Sequence, residues 1–169
     1  LLASGDSGQP GYYGAAYLNT QTNEIVLVNR GTNDLDDVAT DLQMVLDKAP
    51  DQLVDAQLFY SQVQAEAVDR EATLSITGHS LGGSLTQLLI AAHANDEING
   101  SGVFGQTFNA LGVKGLLNDL GLADVDYKVT NWVTPTDVVG NLVEHIGTKA
   151  SLAGLPFSYT YLTGPPGVA

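Results

Sequence analysis

The chain has no cysteine, which excludes disulfides, thiolate metal sites and a cysteine nucleophile and narrows the catalytic candidates accordingly. Basic residues are scarce. Six Lys and Arg stand against nineteen Asp and Glu, and the net charge of −13 repels nucleic acid and anionic membrane surfaces at long range. A nucleic-acid role is therefore not expected. No apolar run approaches the roughly eighteen residues of a membrane span, so membrane contact is expected to be peripheral. Leu1-Leu2-Ala3-Ser4-Gly5 carries no basic or long apolar leader, and no signal peptide is read there. An acidic, Gly/Asn/Asp-rich chain without cysteine fits a secreted bacterial protein, with a cytoplasmic location as the alternative. What is present, 169 residues with 44% hydrophobic content, suits one globular domain over 1–169 that buries its core without staples. Residues 1–12 read as a loose lead-in.

Apolar runs at 14–19 and 24–29 flank Thr20-Gln21-Thr22-Asn23 and predict a β-hairpin. Ile25-Val26-Leu27-Val28 is continuous, as in a central strand buried on both faces. Leu35, Val38, Leu42 and Val45 then recur at helical spacing with Asp34, Asp36, Asp37 and Asp41 among them. Pro50-Asp51 restarts the pattern, and Leu53, Ala56, Tyr60, Val63 and Ala67 predict a longer helix capped by Asp51. Further strands are expected at 103–110, at 127–133 and, short, at 157–162, with a helix at 114–120. The order predicts an α/β fold, a three-layer sandwich with a largely parallel sheet behind an antiparallel N-terminal hairpin.

The chain is organised around Leu74-Ser75-Ile76-Thr77-Gly78-His79-Ser80-Leu81-Gly82-Gly83. β-Formers lead into it, and Leu81, Leu85, Leu88 and Ala92 leave it at helical spacing. Gly78-His79-Ser80-Leu81-Gly82 thus matches G-x-S-x-G in the strand–turn–helix context that holds a serine hydroxyl above a sheet edge. Side chains at Gly78 or Gly82 would collide with the neighbouring backbone. A bare Gly-Ser turn without chemistry is the competing reading.

A serine nucleophile needs a base, and three histidines are available. His79 adjoins Ser80 on a turn where neighbouring side chains diverge. His93 lies near the far end of the following helix, roughly 20 Å along its axis. His145, in a Gly-rich segment beyond the core strands, remains as base by elimination. Asp137 follows a strand end, where catalytic groups of α/β proteins gather, and is the candidate that orients the histidine. The chain order Ser80, Asp137, His145 is that of the α/β-hydrolase triad. The oxyanion would be held by the Leu81 amide and by Thr32, which with Gly31 follows the buried strand.

Asn29-Arg30-Gly31-Thr32-Asn33 with Thr40-Asp41-Leu42 resembles the F-R-G-T…D-L block of the class 3 (fungal-type) lipases of the α/β-hydrolase superfamily. Gly78 to Gly83 is similar to their elbow, Gln106 to Ala110 to their T-F-G-x-P segment, and Thr134 to Val139 to the segment carrying their triad aspartate. Asn29 and Val38 stand where the family has aromatic residues. The resemblance implies a carboxylic ester hydrolase with Ser80 as nucleophile, Asp137 as orienter, and Thr32 and Leu81 as oxyanion donors. His145 follows Asp137 by eight residues, a short spacing similar to bacterial lipase-like and phospholipase A1-like relatives.

The expected activity is cleavage of a lipid or small acyl ester through an acyl-serine intermediate, without a cofactor. A short-chain esterase or thioesterase, and an inactive hydrolase-fold binding or toxin module, are the alternatives. Calcium could be held by Asp34, Asp36, Asp37 and Asp41, although a solvated helix face explains them better. The stripe Leu35, Val38, Leu42 and Val45 would form either a lid over the site at a lipid interface or a core helix.

Overall fold

The computed structural model describes residues 1–6, 11–31 and 42–152, with the backbone alone for 42–51. Strands β1 (Ala3–Asp6), β2 (Tyr13–Asn19) and β3 (Glu24–Asn29) precede the long helix α1 (Leu42–Asp69). Strand β4 (Thr73–His79) leads into α2 (Leu81–Ala92). A small hairpin of β5 (Glu97–Ile98) and β6 (Ser101–Gly102) follows, then β7 (Phe104–Phe108), β8 (Val129–Val133), the short α3 (Val138–Leu142) and β9 (Thr148–Ser151). Seven strands form one sheet in the order β1-β2-β3-β4-β7-β8-β9. The first two pairings are antiparallel and the rest parallel, so the carboxyl ends of β3, β4, β7 and β8 lie along one edge.

Helices α1 and α2 cover one face of this sheet and supply, with it, two of the three expected layers. Ile25, Leu27, Leu74 and Ile76 point to that face and are buried. The alternation in α1 explains its docking: Leu53, Ala56, Phe59, Tyr60, Val63 and Ala67 are buried, while Val54, Leu58 and Val68 face solvent. Helix α2 packs beside α1 on the sheet and is buried from Leu81 to Ala91, its polar Ser84, Thr86 and Gln87 included. Burying each of Leu85, Leu88, Leu89 and Ile90 contributes about 1.5–3 kcal/mol, so the helix that carries the elbow is among the most firmly held parts of the molecule.

Several local expectations are corrected. The lead-in is not wholly irregular, because Ala3–Asp6 pairs with β2 along the sheet edge. Helix α1 runs unbroken through Pro50, so Asp51 lies inside it rather than capping it. One missing N–H in 28 residues is outweighed by the packing of the following turns. Strand β3 is central but alternates, with Val26 and Val28 only half-buried on the face away from the helices. Lys114–Leu116 forms a single 3-10 turn instead of a longer helix. Helix α3 and strand β9 were not expected, since neither five-residue Val138–Leu142 nor polar Thr148–Ser151 has a readable period. Residues 33–41 and 157–162, which carry the first part of the apolar stripe, the Asp34/Asp36/Asp37/Asp41 group and the last short strand, lie outside the described residues.

Candidate active site

Ser80 is the single residue between β4 and α2, and its backbone adopts φ 55°, ψ −129°. L-residues with a side chain rarely occupy that region, and holding one there costs on the order of 1–3 kcal/mol. Three of the other described non-glycine residues with positive φ are asparagines (Asn23, Asn99 and Asn109), which tolerate it. A buried serine held this way marks the elbow as a place where the surroundings enforce strain.

The glycines show how the turn is made tight. A Cβ on Gly78 would come within 2.3 Å of the Gly82 carbonyl carbon and oxygen, and one on Gly82 within 2.2 Å of the Asn29 carbonyl oxygen. Strand, elbow and the end of β3 are therefore in backbone contact. The Ser80 amide donates to the Phe108 carbonyl at 3.1 Å, while the Ser80 carbonyl accepts from the amides of Gly83 and Ser84. The hydroxyl caps no amide of α2. Leu81, as first residue of α2, has an amide with no intrahelical acceptor, and it sits at the positive end of the helix dipole.

Gly31 brings the turn after β3 against this elbow. A Cβ there would lie 2.9 Å from the His79 carbonyl oxygen and 3.5 Å from the Ser80 Cβ. Thr32, the expected second oxyanion donor, is outside the described residues, but its neighbour adjoins Ser80.

The expected base and orienter occupy the segment after β8. The Asp137 Oδ1 accepts from the Gly140 amide at 2.5 Å and so caps α3. The His145 Nε2 donates to the Gly140 carbonyl at 2.8 Å. Because a carbonyl only accepts, this bond fixes the proton on Nε2 and leaves Nδ1 as the basic nitrogen. That Nδ1 is buried and has no partner among the described residues. Burial pushes the His145 pKa below its ordinary value, with Lys149 acting in the same direction and the Gly140 bond opposing them. Asp137 and His145 thus converge on the two sides of one residue. Among the described residues no hydrogen bond joins them to each other or to Ser80.

The other histidines are elsewhere. His79 is exposed, pairs with Phe108 across the sheet, and points away from the helices. His93 ends α2, stacks on Tyr60 at 3.9 Å between ring centroids, and bonds Asp96 through Nδ1 at 3.0 Å.

Three polar side chains whose roles the sequence did not reveal organise this region. Asn109, at φ 43°, takes the Thr134 amide on its Oδ1 at 2.9 Å and ties the end of β7 to the end of β8. Gln87, fully buried on α2, donates to the Leu111 carbonyl at 2.9 Å and accepts from the Ile146 amide at 3.4 Å, anchoring the neighbour of His145. Asn29 is buried at the end of β3 and bonds both Tyr12 and Thr86. Polar residues inside an apolar pattern are the sequence signal for Gln87 and Asn109, and for Asn29 the replacement of an aromatic position is a second one. No group of three or more His, Asp or Glu that could hold a metal ion occurs among the described residues, and no described helix is long and apolar enough to cross a membrane.

A strand–serine–helix elbow at the carboxyl edge of a mostly parallel sheet, with an antiparallel N-terminal pair, defines the α/β-hydrolase class of lipase-like folds. The chain belongs to the Tle-like phospholipase domain family, whose phospholipase-like model matches residues 2–161. Comparison with curated protein sequences finds no match. Among solved structures, the lipase of Rhizopus microsporus var. chinensis is similar with TM-score 0.69 and 17% identity, over 92% of this chain and 62% of its own. Lipase II of Rhizopus niveus gives 0.67 and 18%, over 89% and 65%, and the Lip2 lipase of Yarrowia lipolytica gives 0.65 and 18%, over 89% and 64%. This chain therefore spans less than two thirds of each of these lipases.

Proposed function

We propose that this chain is a serine-dependent carboxylic ester hydrolase of lipase or phospholipase type, with Ser80 as nucleophile. The observation that carries the reading is the enforced conformation of Ser80 in a G-x-S-x-G elbow, with its hydroxyl uncommitted to the helix it begins. In the proposed reaction the Ser80 oxygen attacks the ester carbonyl and loses its proton to a base. The resulting oxyanion is held by the amides of Leu81 and Thr32. Collapse expels the alcohol, which takes the proton from that base, and water then releases the acid from the acyl-serine.

His145 and Asp137 are proposed as base and orienter. The neutral form of His145, favoured by its burial, suits the role. Both must leave Gly140 to act together, and a shift of the five-residue α3 would release them. The charge of −13 favours neutral or zwitterionic ester-bearing lipid over anionic lipid, reached at a peripheral interface by a secreted protein.

One observation favours a second reading. With Asp137 and His145 each committed to Gly140, the domain could instead be a hydrolase fold that binds without turnover. A fluorophosphonate, which reacts with an activated serine, separates the two. The hydrolase reading expects one label on Ser80, none on Ser80→Ala, and a loss in His145→Ala approaching that of Ser80→Ala, because such residues act as a unit. An unlabelled native protein refutes the hydrolase reading, and a fully labelled His145→Ala refutes the assignment of the base.

A further inference from the structure

Behind the elbow runs a thread of buried hydrogen bonds that neither the fold nor the reaction, as so far described, requires. The Tyr12 hydroxyl donates to the Asn29 Oδ1 at 2.8 Å, the Asn29 Nδ2 donates to the Thr86 Oγ1 at 3.0 Å, and the Thr86 hydroxyl donates to the Gly82 carbonyl at 2.9 Å. Asn29 is 1% exposed and Thr86 fully buried. The direction of the thread is fixed from one end. A carbonyl only accepts, so the Thr86 proton is committed to Gly82; its oxygen must then accept, which requires the Asn29 amide nitrogen to face it and the amide oxygen to face Tyr12. Burial, assisted by Asp55, pushes the Tyr12 phenol well above its ordinary pKa and keeps it a donor.

The two ends of the thread matter for the site. Asn29 is the last residue of β3, immediately before the Arg30-Gly31 turn that lies against Ser80. Gly82 is two residues beyond Ser80, and it meets the Asn29 carbonyl so closely that a Cβ would stand 2.2 Å from it. The Asn29 side chain therefore ties together two backbones that its main chain already brings into contact, one bearing the Leu81 amide and the other running into Gly31 beside Ser80. An apolar residue at position 29 would fill the space but could not fix the separation along the helix axis, because packing contacts have no preferred direction whereas hydrogen bonds do.

We propose that Asn29 and Thr86 are positioning residues that set the spacing between the Arg30-Gly31 stretch and the nucleophile elbow, and so the placement of Ser80 and the Leu81 amide toward the tetrahedral intermediate. This rests on the serine-hydrolase reading above. Neither residue touches the reacting atoms; each acts through backbone.

Thr86→Val removes the hydroxyl at nearly constant volume, and Thr86→Ser keeps it. For protein shown to be folded by circular dichroism and thermal melting, Thr86→Val is expected to lower kcat and the fluorophosphonate labelling rate on the order of tenfold to a hundredfold. Affinity for a boronic acid, which becomes tetrahedral on the serine, should fall in parallel while KM for the ester stays nearly constant. Thr86→Ser should restore most of both. Should Thr86→Val not fold, Asn29→Asp, which keeps the acceptor and loses the donor, is measured in the same way. Folded Thr86→Val, or folded Asn29→Asp in its place, with the native labelling rate and boronate affinity overturns the proposal, since the thread would then support the fold alone. Equal losses in Thr86→Ser and Thr86→Val would also overturn it. A native protein that takes no label overturns the underlying hydrolase reading, an outcome distinct from these.

Discussion

Adding a single methyl group at Gly82 tests whether the elbow is as tightly built as its contacts indicate. In Gly82→Ala the new Cβ would stand 2.2 Å from the Asn29 carbonyl oxygen and 2.8 Å from the carbonyl carbons of Asn29 and Arg30. An ordinary carbon–oxygen contact is about 3.3–3.6 Å, so the end of β3 and the start of α2 must separate by about 1 Å. All three obstructing atoms are backbone, held by the β3–β4 ladder and by the Asn29–Thr86 bond, and none can swing aside. Overpacking of this kind costs typically about 1–3 kcal/mol, and the backbone obstruction places this site at the upper end. Alanine recovers up to about 1 kcal/mol through helix propensity and a less flexible unfolded chain. The net loss is therefore about 2 kcal/mol, which for a domain of this size lowers Tm by about 4–8 °C. The same separation moves the Gly31 turn off Ser80, so the labelling rate of the folded fraction should fall as well. Gly115→Ala is the control, because a Cβ there meets nothing within 4 Å; it should leave labelling unchanged and Tm unchanged or slightly raised. Urea denaturation with labelling at a temperature where both variants are folded checks the two effects. A Gly82→Ala protein as stable and as quickly labelled as the native one would refute the account of the elbow.

Leu85→Ala, at a fully buried position of α2 facing the core, should cost about 2–5 kcal/mol of unfolding free energy without altering the site chemistry of the folded fraction, as read by urea denaturation. Asn109→Ala should be destabilised by roughly 1–2 kcal/mol because alanine resists a φ of 43°, and Asn109→Gly by less, since glycine adopts that φ and only the bond to the Thr134 amide is lost. The His145 pKa is lower in the folded state, so below its ordinary value of about 6.5 the unfolded chain binds the extra proton and folding is penalised as pH falls; above that value the penalty is absent. The difference in Tm between native protein and His145→Gln should accordingly change between pH 7.5 and pH 5 in the direction of relative stabilisation of the variant at low pH. A difference that stays constant over that interval would refute the burial of the imidazole.

The parts of this molecule that were legible in the sequence are those where one physical requirement dominates. The run Ile25 to Val28 read as a central strand, although it is buried on one face only, and Leu81, Leu85, Leu88 and Ala92 read as a helix from their spacing. The elbow between β4 and α2 was legible because its glycines answer a steric demand at fixed spacing, which the contacts at Gly78 and Gly82 make explicit. Helix α1 was misread at Pro50 because proline was weighed by its local cost, whereas Leu53, Phe59, Tyr60 and Val63 pack against the sheet and outweigh it. Strand β9 was missed because its residues are polar or small; it exists through its ladder with Trp132 and Val133, a partner more than fifteen positions away in the chain.

The candidate site divides along the same line. Ser80 and the Leu81 amide belong to one continuous stretch, so local pattern sufficed to propose them and to predict the strand–turn–helix that carries them. Asp137 and His145 were assigned from chain order and elimination, which say nothing of where two side chains point. Their positions depend on α3, a helix of five residues that is short enough for a single cap to matter: the Asp137 carboxylate satisfies the Gly140 amide, and the His145 ring satisfies the carbonyl of the same residue. The two groups that the reaction would need free are thus the ones that hold this turn together. Any ligand that drew Asp137 onto the imidazole would have to repay the cap, typically about 1 kcal/mol, together with the His145–Gly140 bond. In the proposed reaction the pairing of the carboxylate with an imidazolium would have to exceed those costs, which sets the least that substrate binding must contribute at α3.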